Sequence, residues 1–385
     1  AERPTNSSDA PPDGPKRKVA AHPIVRYSRR ADLRNRSRRR HREPQNTTRI
    51  ISTMKAALID KFGDNDRVRV AEVPRPTPTG NDLLVEVKAA SINPVDVKIR
   101  SGKLKPLIPY RLPLVLGNDL SGVVVEVGPD VEKVKVGDEI FARLDKDRIG
   151  ALAELALVRE SAAAKKPARL SHVEAASLAL VGLTAWQCLV DIGHLKSGQK
   201  LLVTAGSGGV GTFAIQLAKH IGAEVFTTVG ARNIEVVKKL GADHAIDYKT
   251  TRLEDVAKDI DVVFDTQGGE TLLGAFKVVK RGGVVVTIGG NPDAKFARSW
   301  GVNPVLVLAL GFMSRHITRA AKEAGAHFEY WFVRADGEQL AKIAELAESG
   351  VIRPIIDRTF PLAEVKEALA YSEAGRATGK VVVEV

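Results

Sequence analysis

A glycine-rich turn at residues 206–211 constrains the fold of this chain more than any other segment. The six residues read Gly-Ser-Gly-Gly-Val-Gly, with an apolar run at 201–204 before them and an amphipathic run at 213–221 after them. A strand, a glycine-rich turn and a helix in this order are the context in which the pattern G-x-G-x-x-G predicts a dinucleotide-binding site. A glycine-rich turn that binds no ligand is the alternative interpretation.

Each glycine of the pattern has a separate physical role. Gly206 permits the tight turn, Gly208 lets the backbone approach a pyrophosphate, and Gly211 lets the helix pack close to the strand. The first N–H groups of the helix have no partners within it, and their partial positive charge favours a phosphate. We therefore predict that this turn binds the phosphates of a dinucleotide.

Beyond Ser171, strands and helices alternate along the chain. Residues 173–191 read as a helix with Ser171 at its N-cap and a glutamate three residues later. Strands are then predicted at 200–204, 224–228, 244–247, 261–265 and 283–288, and helices at 209–221, 232–240 and 269–279. This alternation predicts a parallel, doubly wound α/β sheet, whose ligand lies at the carboxyl ends of the strands.

Residues 54–160 follow a different pattern, in which short apolar segments are separated by proline and glycine. Residues 84–89 alternate in polarity with a period of two, which is typical of a half-buried strand. Residues 123–127 form a second apolar segment that ends at a Gly-Pro turn. Many short strands with little helix predict a small barrel-like β domain.

The net charge is concentrated at one end of the chain. Of the formal charge of +12, residues 1–53 carry +9, and the other residues carry only +3. This basic extension lacks apolar periodicity and is predicted to be disordered. It is interpreted as an accessory leader, with an organelle-targeting segment or a nucleic-acid-binding arm as alternatives. The small charge of the remainder argues against a broad nucleic-acid surface.

Two further features of the composition exclude other classes of protein. Cys188 is the single cysteine, so an intramolecular disulfide and a cysteine-based zinc lobe are both excluded. The longest apolar run, Val305 to Met313, has nine residues and is too short to predict a membrane span. A cytoplasmic location is therefore predicted, with organelle targeting by the basic extension left open.

The residues after the second strand of the α/β region indicate which nucleotide binds. In NAD-binding sheets an acidic residue about 20 positions beyond the glycines binds the ribose 2′-hydroxyl. Here residues 227–233 contain no carboxylate, and Arg232 stands in this zone. A guanidinium can hold a 2′-phosphate with two hydrogen bonds. We therefore predict NADP(H), with Tyr248 as a second candidate for the phosphate.

Several segments together resemble a known family. In chain order they are Ala90-Ser91-Ile92-Asn93-Pro94-Val95-Asp96, Gly117-Asn118-Asp119-Leu120-Ser121-Gly122, Val136-Gly137-Asp138, Ala205 to Gly211, Leu240-Gly241-Ala242 and Gly375-Arg376-Ala377-Thr378-Gly379-Lys380. This set resembles the medium-chain dehydrogenase/reductase superfamily, in particular its zinc-free, zeta-crystallin-like quinone oxidoreductase branch.

The resemblance implies a Rossmann sheet together with a GroES-like β-barrel catalytic domain. The catalytic domain would comprise residues 54–178 and 335–385, and the dinucleotide-binding domain would comprise residues 179–334. Zinc enzymes of the superfamily have a cysteine where this chain has Ser91 and a histidine where it has Asn118. Since zinc prefers thiolate and imidazole ligands, no metal is predicted. A homodimer is also implied, because this state is usual in the branch.

The site residues are predicted from the resemblance and from the ends of the predicted strands. Asn93, Lys98 and Tyr110 are the candidate catalytic residues, since each could donate a hydrogen bond to a substrate or line its pocket. The candidate cofactor-binding residues are Asn93, Thr184, Gly206, Ser207, Gly208, Gly209, Val210, Gly211, Thr228, Gly230, Arg232, Tyr248, Thr266, Ile288 and Lys380. A surface or structural role remains open for several of them, among them Lys98, Thr184 and Lys380.

Without zinc the chain lacks a Lewis acid for the oxidation of simple alcohols, whereas a conjugated carbonyl can accept a hydride with hydrogen-bond donors alone. The leading hypothesis is an NADPH-dependent reductase of quinones or α,β-unsaturated carbonyls. An enoyl-thioester reductase and a nucleotide-loaded binding protein with an RNA-contacting basic tail are the alternatives. Residues 291–334 could form a pocket wall, a subunit interface or ordinary core.

Overall fold

Strands account for most of the first half of the described chain. The computed structural model describes residues 52–385, so the predictions for residues 1–51 lie outside the described residues. The strands within residues 52–385 are β1 (Thr53–Ile59), β2 (Val68–Pro74), β3 (Asp82–Ile92), β4 (Leu114–Val115), β5 (Asp119–Val127), β6 (Glu139–Arg143), β7 (Leu155–Arg159), β8 (Ala163–Lys165), β9 (Lys200–Val203), β10 (Glu224–Val229), β11 (His244–Asp247), β12 (Ile260–Asp265), β13 (Val279–Thr287), β14 (His327–Tyr330), β15 (Ile356–Pro361) and β16 (Lys380–Glu384).

Helices follow mainly in the second half. The α-helices are α1 (Pro94–Arg100), α2 (His172–Trp186), α3 (Gly209–Ile221), α4 (Ile234–Lys239), α5 (Leu253–Val256), α6 (Gly269–Ala275), α7 (Ala294–Ser299), α8 (Pro304–Ala324), α9 (Gly337–Glu348) and α10 (Val365–Glu373). A π-helical segment, Gln187–Ile192, continues α2. Ser171 caps α2, and its side chain accepts a hydrogen bond from the N–H of Glu174, as the sequence pattern predicts.

The second half of the chain builds a six-stranded parallel sheet. Its strand order is β11-β10-β9-β12-β13-β14, which is the doubly wound order of a Rossmann fold. Side chains of β9 alternate between the two faces of the sheet. Leu201 and Val203 pack with α3, whereas Leu202 packs on the opposite face with residues of α6 and α8. The predicted doubly wound sheet is confirmed.

The first half builds one antiparallel sheet and most of a second, mixed sheet, which the end of the chain completes. One is a three-stranded sheet in the order β2-β1-β4, and the other is a seven-stranded sheet in the order β15-β16-β3-β5-β6-β8, with β7 on β3. Strand β16 pairs with β3, where Val382 lies opposite Ser91. The last residues therefore belong to the same sheet as residues 82–92, as the GroES-like resemblance implies. The limits of the domains at residues 178 and 334 stay a prediction.

The apolar run from Val305 to Met313 lies within a longer helix. This run and the residues that follow it form α8, which is continuous to Ala324. Strand β14 then begins at His327 and ends at Tyr330. Val305, Leu308 and Phe312 remain exposed along α8, and a subunit interface there stays a prediction.

Helix α2 and its π-helical continuation are apolar enough, and at 21 residues long enough, to cross a membrane within the part of the chain that the structure describes. However, 78% of the most apolar window is buried inside the protein. The helix packs against α3 and β5. Its apolar composition is therefore explained by its place in the core.

The glycines of the turn at 206–211 separate into two kinds by the space around them. A Cβ at Gly211 would lie 2.6 Å from Cα of Gly206, so this glycine allows α3 to approach the preceding turn. A Cβ at Gly208 would meet nothing nearer than a carbonyl oxygen at 3.5 Å, and the φ of Gly208 is an ordinary −75°. Folding therefore requires Gly211 to be a glycine but does not require this of Gly208.

We predict opposite effects for two matched substitutions in this turn. Gly211→Ala should lower the free energy of unfolding by about 1–3 kcal/mol, because the added methyl group overpacks the turn. Gly208→Ala should leave stability unchanged but weaken NADPH binding at least about tenfold, because its methyl group would occupy the approach to the pyrophosphate. Denaturant unfolding and calorimetric titration measure the two quantities. Unchanged NADPH affinity in Gly208→Ala would contradict the predicted role of this position.

Candidate functional site

A cleft of about 990 Å³ runs from the glycine-rich turn to the strands of the antiparallel sheet. The cleft lies at the carboxyl ends of β9, β10, β12 and β13, where the doubly wound sheet predicts a ligand. The predicted site residues that line it are Asn93, Lys98, Thr184, Ser207, Gly208, Gly209, Val210, Gly211, Thr228, Gly230, Arg232, Tyr248, Thr266, Ile288 and Lys380. Gly206 and Tyr110 do not line it.

The two predicted residues outside the lining have other contacts. The N–H of Gly206 donates to the carbonyl oxygen of Thr228 at 3.0 Å, so this glycine forms the turn rather than the surface of the cleft. The hydroxyl of Tyr110 donates to the carbonyl oxygen of Lys146 at 2.5 Å. Burial raises the pKa of Tyr110, so the phenol keeps its proton at neutral pH. Tyr110 is therefore held as a structural donor in this conformation.

Asp265 organises the floor of the cleft. This buried carboxylate accepts hydrogen bonds from the hydroxyls of Thr204 at 3.0 Å and Thr287 at 2.6 Å, and from the N–H of Gly268 at 2.7 Å. These partners follow or end three neighbouring strands, β9, β13 and β12. The hydroxyl of Thr266 also donates to the carbonyl oxygen of Thr204. The ends of β9, β12 and β13 at the floor of the cleft are thus joined in one hydrogen-bond network.

The end of the cleft beyond β10 is positively charged. Arg232, Lys249 and Arg252 all line it and are exposed, and Tyr248 lies beside them with 62% of its surface accessible. The sequence analysis missed Lys249 and Arg252. Both follow β11, and only the strand order brings the end of β11 beside the end of β10.

A buried polar cluster forms the opposite end of the site. Asn93 accepts a hydrogen bond from Nζ of Lys380 at 2.6 Å through Oδ1. Its Nδ2 donates to Oδ1 of Asp119 at 2.9 Å and to the carbonyl oxygen of Ser91 at 3.2 Å. Because both amide hydrogens are used within the protein, Asn93 reaches the cleft as an acceptor. The predicted donation from Asn93 to a substrate would require these bonds to break.

Ser91 and Asn118, which the resemblance sets against metal ligands of zinc relatives, belong to the same cluster. The hydroxyl of Ser91 donates to Asp119 at 2.8 Å, and Nδ2 of Asn118 donates to Oδ1 of Asp96 at 2.7 Å. Each side chain is therefore a hydrogen-bond donor to a carboxylate. Within residues 52–385, no group of three or more histidine, cysteine, aspartate or glutamate side chains is arranged to hold a metal ion.

Burial controls the titration of the cluster. Burial raises the pKa of Asp96 to about 6, while the hydrogen bond from Asn118 acts in the opposite direction. The N–H of Asn93 also donates to Asp96, at 2.7 Å. Burial likewise lowers the pKa of the Lys380 ammonium, and Asp119 counteracts this change. Lys380 is a buried member of the cluster, so the sequence-based alternative of a surface lysine was wrong.

Two further predicted residues line the middle of the cleft. The hydroxyl of Thr184 donates to the carbonyl oxygen of Leu180 at 2.7 Å, one turn earlier in α2, so it still has lone pairs available to a ligand. Lys98, on α1, projects from the antiparallel side, and burial lowers its pKa. Lys98 is thus the predicted catalytic residue that remains able to donate to a substrate.

Residues 330–333, which end or follow β14, supply an aromatic wall of the cleft, and a pocket wall is one of the roles that the sequence left open for residues 291–334. Nε1 of Trp331 donates to Oε1 of Gln187 at 3.0 Å, which anchors the wall to the π-helical segment. Phe332 stacks edge-on against Trp300, with ring centroids 5.0 Å apart. The substrate end of the cleft is therefore bounded by aromatic rings on one side and by Lys98 on the other.

The raised pKa of Asp96 predicts a pH-dependent stability. The folded protein holds this proton up to about pH 6, whereas the unfolded chain releases it near the ordinary aspartate pKa of 3.8. The protonated carboxyl of Asp96 therefore contributes to the free energy of unfolding at low pH, and this contribution is lost as pH rises from about 4 to about 6. The loss is about 3 kcal/mol, since each pKa unit is worth about 1.4 kcal/mol.

The measurement is the difference in unfolding free energy between the wild type and Asp96→Asn across this range. The substitution also changes stability for structural reasons, but these effects do not depend on pH and therefore do not alter the slope of the difference against pH. The stability of the wild type relative to Asp96→Asn should therefore fall as pH rises. Asp66→Asn, at an exposed position, is the control and should show no such slope. A flat difference for Asp96→Asn would show that its carboxyl titrates normally.

Known proteins share both the sequence and the architecture of this chain. Residues 79–168 match the family model of the alcohol dehydrogenase GroES-like domain, and residues 240–383 match that of the zinc-binding dehydrogenase. The bovine (Bos taurus) mitochondrial NAD(P)H oxidoreductase RTN4IP1 is 36% identical over 379 residues, which covers 89% of this chain and 92% of that protein.

An Arabidopsis thaliana chloroplastic NADPH-dependent alkenal/one oxidoreductase is 36% identical over 345 residues, with 87% of this chain and 80% of the relative covered. The structure of the quinone oxidoreductase from Coxiella burnetii has a TM-score of 0.76 and 32% identity, with 87% of this chain and 100% of that chain covered. The chain therefore belongs to the medium-chain dehydrogenase/reductase superfamily, in which it is an NAD(P)H-dependent oxidoreductase of the quinone and alkenal oxidoreductase type.

Proposed function

We propose that this protein uses NADPH to reduce quinones or α,β-unsaturated carbonyl compounds, without zinc. The observation that carries the proposal is the hydrogen bonding of Ser91 and Asn118 to buried carboxylates at one end of a cleft that begins at the glycine-rich turn. The names of the relatives described above, which refer to quinone and alkenal substrates, support the same class of reaction.

The chemistry of the buried cluster supports a reaction without zinc. Zinc binds thiolate, imidazole and carboxylate ligands, and a serine hydroxyl or an asparagine amide nitrogen is a poor substitute. Lone pairs of Asp96 and Asp119 are already engaged by the donors described above. A metal ion would have to break several of these buried hydrogen bonds. Hydride acceptors that need no Lewis acid are thus favoured as substrates.

A conjugated carbonyl substrate fits the groups of the cleft that are not engaged in the buried cluster. NADPH, when bound, supplies the hydride, and the positive charge and free N–H groups of the turn before α3 would hold its phosphates. The negative charge that develops on the substrate carbonyl oxygen then requires a hydrogen-bond donor. Lys98 lines the cleft and can provide one, whereas the amide hydrogens of Asn93 are already used. The aromatic residues at 330–333 would pack on the flat conjugated system.

The positive charge beyond β10 supports NADPH over NADH. Arg232, Lys249 and Arg252 would surround a 2′-phosphate, and Nη2 of Arg232 already donates to the carbonyl oxygen of Arg376, which fixes its position. A carboxylate that would bind a free 2′-hydroxyl is missing from residues 227–233. These residues therefore fit a dianionic 2′-phosphate better than a neutral hydroxyl.

A panel of acceptors tests the proposed activity. Quinones, enones, enoyl thioesters and simple ketones are offered with NADPH or NADH to protein treated with a chelator. We expect oxidation of NADPH with quinones or enones, no activity on simple ketones, and no loss on chelation. Faster turnover of enoyl thioesters would favour the alternative reductase. Activity that is lost on chelation and restored by zinc would contradict the proposal.

Arg232→Ala tests the choice of nucleotide. Loss of a charged contact with the 2′-phosphate should raise the Michaelis constant for NADPH about tenfold, since such a contact is worth roughly 1.5–3 kcal/mol before solvent screening. The constant for NADH should change little. Arg319→Ala, on the exposed face of α8, is the matched control and should change neither. Equal effects of Arg232→Ala on both nucleotides would remove Arg232 from this role.

The basic extension, residues 1–53, has a proposed role in targeting. The mitochondrial and chloroplastic relatives favour an organelle location over the predicted cytoplasmic one, and we propose that residues 1–53 contain a targeting segment. The RNA-contacting tail is the alternative. RNA binding that disappears when residues 1–53 are deleted would support that alternative.

A further inference from the structure

One arginine in the wall of the cleft is buried with most of its donors unused. Within residues 52–385, the buried side-chain nitrogens without a hydrogen-bond partner are Nε of Arg100 and both Nε and Nη2 of Arg143. Arg100 is otherwise paired, since it donates to Asn65 at 2.9 Å and to Glu373 at 3.0 Å. The side chain of Arg143 has a single partner, the carbonyl oxygen of Leu144. Of these two arginines, only Arg143 lines the cleft.

This arrangement is costly unless an acceptor binds. Arg143 is only 1% exposed, and an unsatisfied buried donor costs roughly 1–3 kcal/mol, with more for a charged group. An unsatisfied buried group in a native protein calls for a specific explanation, and a catalytic role is one of these. The two unused nitrogens belong to one edge of the guanidinium, which presents its N–H groups in a planar fork.

The surroundings of Arg143 indicate an oxygen that is neutral in the ground state. Arg143 ends β6 and lies opposite Asp119 of β5. Together with Lys380 it supplies two formal positive charges near two buried carboxylates, Asp119 and Asp96, while the nearby Asp145 is paired with Arg159. These formal charges cancel, so the missing partner need not be an anion. A carbonyl oxygen would satisfy the donors and leave the cluster balanced.

Arg143 also lies beside the aromatic wall where a conjugated ring would pack. Its guanidinium carbon is 6.0 Å from the centroid of the Phe332 ring. Both unused nitrogens are buried, so a substrate oxygen reaches them only when a neighbouring side chain such as Phe332 shifts. The cleft can therefore bring a substrate oxygen to this arginine by a local change in its wall.

We propose that Arg143 is a catalytic residue whose Nε and Nη2 donate to the carbonyl oxygen of the conjugated substrate; this inference rests on the proposed function. The hydride from NADPH forms a C–H bond at the electron-poor carbon, and the π pair of the conjugated double bond moves toward the oxygen. The resulting enolate oxygen accepts from Arg143, which keeps its own protons. A proton from solvent then completes the reduced product.

Arg143 and Lys98 therefore have different proposed roles at the substrate end of the cleft. Arg143 is fixed in a buried, aromatic-lined wall, where a preorganised charged donor has its largest effect on a developing oxyanion. Lys98 is partly exposed on α1 and can guide the substrate or pass on the proton that solvent supplies. The amide of Asn93 remains bound to Asp119 throughout, so the cluster need not reorganise during hydride transfer.

Single-turnover kinetics test the role of Arg143. Arg143→Met keeps the length of the side chain and removes its donors. We expect the rate constant for hydride transfer from bound NADPH to an enone to fall by about 100–1000-fold, with NADPH affinity unchanged. Arg148→Met is the control, because Arg148 is nearby in the chain but pairs with Asp82 and does not line the cleft. A rate within threefold of wild type for folded Arg143→Met would overturn the proposal.

A binding measurement keeps the test independent of turnover. para-Nitrophenolate mimics the enolate oxygen, and para-nitroanisole has the same ring without that charge. In the presence of NADP⁺, Arg143→Met should lose at least tenfold in affinity for the phenolate and little for the anisole. Equal losses for both ligands, or none, would overturn the assignment. Failure of the wild type to reduce any conjugated carbonyl would instead refute the proposed function.

Discussion

The hydrogen bond between Nζ of Lys380 and Oδ1 of Asn93, at 2.6 Å, connects the two parts of this protein that must cooperate. Lys380 follows Gly379, whose N–H donates to the carbonyl oxygen of Ser207 in the glycine-rich turn at 2.8 Å. Asn93 begins α1 and bonds to Asp119 on the antiparallel sheet. These hydrogen bonds thus fix the position of the predicted phosphate site relative to the predicted substrate wall.

The same cluster explains how the superfamily scaffold can serve a different chemistry. The resemblance places Ser91 and Asn118 where zinc relatives have metal ligands, and here both donate to buried carboxylates that also accept from Asn93. Buried charges are least costly when they are paired and hydrogen-bonded. Under the proposed function, this cluster is a polar support in place of a metal centre. The proposal assigns the electrophilic role to donors in the cleft wall, Lys98 and Arg143.

Much of the α/β sheet could be predicted from the sequence because its signals are local. The glycine pattern and the apolar runs predicted the bounds of β9, β10, β12 and α3 closely. The position of the ligand at the carboxyl ends of the strands could be predicted from the strand order typical of such sheets. What could not be predicted depends on contacts between distant segments. Lys249 enters the site only because β11 lies beside β10, and Arg143 only because β6 ends beside the aromatic wall. Tyr110 was predicted to line the pocket, yet its hydroxyl is bound to Lys146.

Isotope transfer tests the central claim most directly. NADPH carrying two deuterium atoms at C4 of the nicotinamide is mixed with chelator-treated protein and an enone, and the product is examined by NMR. The account predicts one deuterium at the carbon β to the carbonyl in each product molecule, formed at the same rate with and without chelator. Product without deuterium at that carbon, or transfer that requires added zinc, would contradict it.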